Sequence, residues 1–194
     1  GMQVANKLKQ VGDMNLDIDM IAPAHGVIWR SYIPELLQAY EEFATFQSVD
    51  KAVIVYESVW KHTQMMAEAL AEGMGRNGVC VKIFKCSMTS PAIIQKELLD
   101  AKAILVGSGN YNNAMSGSIA AFLEKLISCK VKNKKGLGFG SYGWANLVTK
   151  EINARLVKAG ITLLNDEVVS QNYTPSEEDL DALMELGKQI AEEI

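Results

Sequence analysis

Three stretches of this chain carry residue types suited to gripping a small molecule. The first, Glu57-Ser58-Val59-Trp60-Lys61-His62-Thr63, sets two hydroxyls (Ser58, Thr63) beside Lys61 and His62, just ahead of a segment with helical spacing. Hydroxyls, free backbone amides and the positive end of a helix together hold a phosphate. The second, Ser108-Gly109-Asn110-Tyr111-Asn112-Asn113, is rich in amide donors and acceptors that could read the edge of a flat heterocycle. The third, Ser141-Tyr142-Gly143-Trp144-Ala145-Asn146, offers two aromatic side chains separated by a glycine, which a stacked ring system would use. Each stretch also has a plainer reading. Thr63 fits a helix N-cap beside an exposed basic pair, the Gly/Asn run fits a turn, and Trp144 fits a cap on the core.

The elements around these stretches decide whether they can meet. From about Lys51 onward, short apolar runs alternate with longer segments of helical period. Ala52–Tyr56, Val79–Phe84, Ala103–Gly107 and Leu137–Ser141 read as buried strands, and Ile161–Val169 holds a fifth. Met66, Leu70, Gly73 and Met74 mark the inner face of a helix that Asn77-Gly78 ends. Ser90-Pro91 opens a short helix, and Ile119, Phe122, Leu123, Leu126 and Ile127 form one face of the next. A helix with Ile152 and Leu156 stops at Gly160; Thr174-Pro175-Ser176-Glu177 fits a capping box ahead of a last helix with Leu180, Leu183, Met184 and Gly187 inward. Strands apolar on both faces and joined by long crossovers pair in parallel, and right-handed crossovers wind helices onto both sides. The expected fold is therefore a three-layer α/β sandwich around a five-stranded parallel sheet of order 2-1-3-4-5. Ligands in such sheets bind beyond the strand carboxyl ends where the order reverses. That rule brings the three stretches together, and jointly they describe a site for a flat mononucleotide.

Composition bounds the rest. Of 194 residues, 48% are apolar and 22% charged, as in ordinary globular proteins, with a net charge of −4. An acidic balance disfavours nucleic acid held by a basic surface, and no apolar run is long enough to span a bilayer. Cys80, Cys86 and Cys129 form no C-x-x-C pair and are expected in the core, which suits a reducing cytoplasm. Gly136, Gly138 and Gly140 share one face of the fourth strand, where a closely packed helix or a ligand is expected. Residues 1–49 stand outside the alternation. Asp17–Ile21 could be a short strand, and Pro34 starts a helix with Leu36, Tyr40, Phe43 and Ala44 inward.

With these residues in view, the chain resembles flavodoxin, through Ile54-Val55-Tyr56-Glu57-Ser58, Thr63, Ala67 and Leu70. It resembles more closely the flavodoxin module of the A-type flavoproteins, or flavodiiron proteins. The residues in question are Ser58-Val59-Trp60-Lys61-His62-Thr63, Asn112-Asn113 and Phe139-Gly140-Ser141-Tyr142-Gly143-Trp144. The segment from Asp17 to Arg30, with His25, resembles the end of that family's metallo-β-lactamase-like diiron domain and its last histidine ligand. Gly109-Asn110 replaces the family's usual Pro-Thr, and Ala145-Asn146 its frequent Ser-Gly. The H-x-E-x-D-H ligand motif is absent, so His25 is a stranded ligand and no metal site is expected.

The resemblance implies domains 1–49, a remnant of the diiron domain with a linker helix, and 50–194, an FMN-binding module. It implies non-covalent FMN with phosphate on Ser58, Lys61, His62 and Thr63, stacking by Trp144 with Trp60 and Tyr111 behind it, and Asn110 and Asn112 at the pyrimidine edge. Val59, Ser108, Gly109, Asn113, Ser141, Tyr142 and Gly143 complete the expected cofactor site. No residue is expected to act as acid, base or nucleophile. The implied role is electron transfer from a small redox protein such as a rubredoxin, or a reductase, to a diiron site outside this chain that reduces oxygen or nitric oxide, in a possible homodimer. Two alternatives stay open: a flavodoxin-fold FMN-dependent NAD(P)H/quinone reductase, and an interaction domain without flavin.

Overall fold

The computed structural model describes every residue except Asp166, and the chain divides into two compact units, Gly1–Gln47 and Ser48–Ile194. The second unit holds the alternating elements. In order they are β1 (Val49–Glu57), α3 (His62–Arg76), β2 (Cys80–Lys85), α4 (Pro91–Leu98), β3 (Ala101–Ser108), α5 (Gly117–Cys129), β4 (Lys135–Tyr142), α6 (Val148–Lys158), β5 (Thr162–Leu163), β6 (Val169–Asn172) and α7 (Glu177–Glu193). The first unit contributes α1 (Met2–Asp13) and α2 (Ile33–Ala44).

The sheet order is β2-β1-β3-β4-β5, all parallel, as the sequence predicts. The far edge differs from the expected single strand. β5 pairs with β4 only at Lys135 and Gly136, while β6 takes up the same edge of β4 from Phe139 to Tyr142. The predicted run Ile161–Val169 thus contains the whole of one short strand and the first residue of another, and Asp166 within it lies outside the described residues.

Alternation along β1 explains the three layers. Val53 and Val55 face one side, into a core with Ile94, Ile119, Leu123 and Ile152 of α4, α5 and α6. Ala52, Ile54 and Tyr56 face the other, against Met66, Leu70 and Met74 of α3 and Leu183 and Ile190 of α7. Each fully buried Leu or Ile contributes about 2 kcal/mol relative to leaving it exposed. One β4 glycine serves helix packing directly: a Cβ on Gly138 would lie 2.5 Å from Asn153 Oδ1 of α6, whereas one on Gly136 would lie 2.6 Å from Ile161, in the connection that follows α6. On the opposite face, α3 and α7 touch backbone to backbone, since a Cβ on Gly73 would stand 2.0 Å from the Met184 carbonyl oxygen.

Several expectations are corrected. The last helix is capped two residues later than predicted, by Ser176 with Asp179 in a capping box, which frees Thr174. Cys80 and Cys129 are exposed rather than core, because β2 is an edge strand and Cys129 ends α5. In the first unit, Ile21 and Trp29 form an isolated antiparallel bridge instead of a strand. Pro34 does open α2, yet Tyr40 and Phe43 remain exposed and only Ala44 is buried. A helix in so small a unit has little apolar surface to cover it.

Candidate functional site

The register places the strand ends level. Glu57 pairs with Ser108, and Gly107 pairs with Phe139, so the loops after β1, β3 and β4 leave the sheet side by side. Together with the residue after β6 they enclose a cleft of about 430 Å³, within the usual range for ligand sites. Its walls are Ser58, Val59, Trp60, His62 and Thr63 from the first loop; Gly109, Asn110 and Tyr111 from the second; Ser141, Tyr142, Gly143 and Trp144 from the third; and Tyr173.

The first loop ends in a left-handed residue, Lys61 at φ 68°, which is the N-cap of α3. Thr63 is therefore not the cap. Lys61 makes no capping side-chain bond among the described residues, so the first amides of α3 face the cleft end of the helix without one. Thr63 is buried, and its hydroxyl meets the Ser141 hydroxyl at 2.9 Å, tying the first loop to the third. His62 Nε2 lies 3.0 Å from Thr174 Oγ1, which ties α3 to the segment after β6. The Lys61 side chain is exposed and is not on the cleft wall.

The second loop is a tight hairpin. Tyr111 and Ala114 exchange backbone hydrogen bonds of 2.8 and 3.0 Å around Asn112 (φ 52°) and Asn113 (φ 64°). Two successive left-handed positions are what a primed two-residue turn requires, and asparagine tolerates them. Both asparagines are exposed at the tip, away from the cleft wall. Ser108 is also off the wall: it is fully buried, and its hydroxyl accepts from the Ser116 amide at 3.0 Å, closing the base of the loop. Asn110 joins the second loop to the third. Its amide donates to the Ser141 carbonyl at 3.0 Å, and its Nδ2 donates to the Ala145 carbonyl. Its Oδ1 is closed to water and has no hydrogen-bond partner among the described residues. An orphaned acceptor of this kind costs about 1–3 kcal/mol until something supplies a donor.

The third loop holds aromatic surface in the open. Trp144 is 94% exposed and Trp60 80% exposed, so neither caps the core. Trp144 packs edge-on against Tyr173, with centroids 6.5 Å apart and planes at 77°. Tyr173, left-handed at φ 58°, donates its amide to the Tyr142 carbonyl at 2.8 Å, and the Asn172 side chain donates to the Gly143 carbonyl at 2.7 Å. Sequence reasoning missed Tyr173. An aromatic residue at a strand's carboxyl end is the available signal, hidden because the sequence pattern predicts a strand that stops at Val169, whereas β6 runs to Asn172.

Beneath the cleft lies Glu57, 8% exposed. Its Oε1 accepts from the Ser58 amide at 3.2 Å, and its Oε2 accepts from the Ser87 amide at 3.0 Å and the Ser118 hydroxyl at 3.1 Å. Burial pushes this carboxyl up, but the bonds from Ser87, Ser58 and Ser118 outweigh it and hold the group below the usual glutamate range. An ionised Glu57 therefore pins the first loop to the turn after β2 and to the start of α5. Burial, and then the Glu57 charge, push the Tyr111 phenol up.

Among the described residues no group of three or more His, Cys, Asp or Glu side chains is placed to hold a metal, and His25 is exposed. The N-terminal unit has its own larger groove of about 910 Å³ between α1 and α2, lined mainly by apolar side chains such as Val11, Ile21, Trp29 and Leu36.

Residues 54–187 match the flavodoxin family. A nitric oxide reductase of Moorella thermoacetica is 39% identical over 98% of this chain and 48% of its own length. Rubredoxin oxygen:oxidoreductase of Desulfovibrio gigas superposes with a TM-score of 0.91 at 30% identity, covering 98% of this chain and 48% of that one. A flavodoxin from the domain Archaea aligns over 74% of this chain and 97% of its own, at 30% identity and a TM-score of 0.66. The chain thus spans about half the length of the enzymes it matches and nearly the whole length of a flavodoxin.

Flavodoxins bind FMN, which combines a phosphate, a ribityl chain and a planar ring with a polar pyrimidine edge. The cleft fits each part: a helix start without a side-chain cap beside Ser58, open indole faces at Trp60 and Trp144, and the polar second loop on its wall at Gly109 and Asn110. The chain belongs to the flavodoxin family.

Proposed function

We propose that this chain binds FMN non-covalently and serves as the electron-relaying half of a flavodiiron-type oxidoreductase. Bound FMN supplies one- and two-electron redox chemistry. The chain's own residues bind and orient it. The amides at the start of α3, with Ser58, Thr63 and His62, receive the phosphate, and Lys61 adds charge from the rim. Trp144, with Trp60 and Tyr111, covers the ring, and the second loop addresses its pyrimidine edge. The observation that carries this reading is the convergence of three strand-end loops on one cleft that has an uncapped helix start and two exposed indoles on its walls.

The electron donor in this proposal is a small redox protein of the rubredoxin kind or a reductase. The acceptor is a diiron site on a domain outside residues 1–194, and the assembled enzyme reduces oxygen or nitric oxide as a homodimer in the cytoplasm. Residues 1–49 are the end of that diiron domain. No helix among the described residues is long and apolar enough to cross a membrane. The test is rapid mixing of the FMN-loaded chain with a reduced rubredoxin and, separately, with NADPH and a quinone. Fast flavin bleaching by rubredoxin, with negligible quinone turnover, is expected. Steady quinone reduction by the isolated chain would favour a stand-alone reductase instead.

A further inference from the structure

The Trp144 side chain stands 94% exposed, and the aromatic ring it meets is that of Tyr173, with centroids 6.5 Å apart. The two planes lie at 77°, so a flat ligand resting on the indole cannot also rest flat on the phenol. Tyr173 is therefore not a second stacking surface. What it can do is limit where the indole swings.

Tyr173 is itself held against its conformational preference. A bulky residue at φ 58° is uncommon, and such strain persists only where the surroundings impose it. Here they do. The Tyr173 amide donates to the Tyr142 carbonyl, the Asn172 side chain donates to the Gly143 carbonyl, and Thr174 is bonded to His62 at the start of α3. Gly143 leaves room for the phenol: a Cβ there would lie 3.3 Å from Tyr173 Cε1 and 3.4 Å from its hydroxyl oxygen. Residues 172–174 thus form a clasp between the third loop and α3, and the ring this clasp carries is the one that meets Trp144.

We propose that Tyr173 is a positioning residue that sets the Trp144 indole in place before FMN arrives. This rests on the FMN reading above and concerns the state of the cleft before binding. An exposed tryptophan immobilised only on binding loses conformational entropy at that moment, and a neighbour that orders it beforehand removes part of the loss. An edge-on aromatic pair has the strength to do so, equivalent to about twofold to tenfold in affinity. Tyr173 acts on the flavin through Trp144 and not by contact of its own.

The test titrates FMN by fluorescence quenching into the wild type, Tyr173→Ala, Tyr173→Phe, Trp144→Ala and the double variant. Tyr173→Ala is expected to weaken FMN about threefold to tenfold, and Tyr173→Phe, which keeps the ring, to stay within about twofold of the wild type. In the Trp144→Ala background, adding Tyr173→Ala is expected to change nothing further. Unchanged affinity in Tyr173→Ala overturns the proposal, as does an equal loss in both backgrounds, which would mean that Tyr173 acts without Trp144. Failure of the wild type to bind FMN at all overturns the reading beneath it, and a measurement without flavin still judges Tyr173. In the ligand-free chain labelled with 5-fluorotryptophan, the Trp144 19F line is identified by its loss in Trp144→Phe. That line is expected to narrow in Tyr173→Ala, as for a freely moving side chain, and to keep its width in Tyr173→Phe. Equal widths in the wild type and Tyr173→Ala overturn the proposal.

Discussion

The two ends of the sheet treat polar groups in opposite ways. At the amino end, Lys51 is buried but doubly paired, with Nζ 2.6 Å from Glu97 and 2.8 Å from Asp100. Nearby, Lys134 is 2% exposed and donates to the Leu99 carbonyl at 3.0 Å and the Ala101 carbonyl at 2.6 Å, capping the end of α4. At the carboxyl end, α3 starts without a side-chain cap and two tryptophans lie open. One end spends its polar groups on stability. The other leaves them unsatisfied where a ligand can complete them, and Glu57, fully bonded beneath the cleft, holds the incomplete end in shape.

If that division is right, substitutions at the two ends separate stability from binding. Lys134→Met should cost the most, about 2–3 kcal/mol by urea unfolding, because it strands the buried Ala101 carbonyl and frees the part-buried Leu99 carbonyl, while FMN affinity stays within twofold. Its pH dependence sharpens the contrast. Burial pulls the Lys134 ammonium down to about 8 in the folded chain. Unfolded, a lysine titrates near 10.4. Between those values the unfolded chain binds more protons, so this group makes the wild type more stable as pH rises. The gap to Lys134→Met should widen from pH 8 to 10, by at most roughly 1.4 kcal/mol per pH unit.

Glu57→Gln should cost about 1–2 kcal/mol and weaken FMN as well, since the clamp lies at the binding end. A lowered folded pKa means that the stability Glu57 adds is present at neutral pH and lost as pH falls through it, so the variant should show a shallower acid transition. Thr63→Val should weaken FMN about tenfold, with under 1 kcal/mol of stability change, through loss of the hydroxyl that meets Ser141. Trp144→Ala should change stability by less than about 0.5 kcal/mol, because the side chain is exposed, yet raise the fluorescence of bound FMN.

Much of this was legible in the sequence, for identifiable reasons. Central strands buried on both faces read as apolar runs, and the topological rule then put three loops at one end. The facing of single loop residues was not legible. Ser108, Asn112 and Asn113 have the chemistry of a binding loop, but hairpin geometry turns two to the tip and buries the third. Tyr173 was hidden because β4 is longer than β5 and takes a second short partner, β6. The capping box slipped because both Thr174 and Ser176 offer a hydroxyl, and only Ser176 stands three residues before Asp179, whose carboxylate closes the box; Thr174 bonds His62 instead. Exposure of Tyr40 and Phe43 on α2 could not be read from helical period, which orders faces but does not say what covers them.

The central claim is that the carboxyl-end cleft holds one FMN by its phosphate and its ring together. Titrating ligand-free protein into FMN and into riboflavin tests it most directly. Quenching that saturates at one FMN per chain, with riboflavin bound at least tenfold more weakly, is the predicted result. Unquenched FMN, or equal affinity for both flavins, would contradict it.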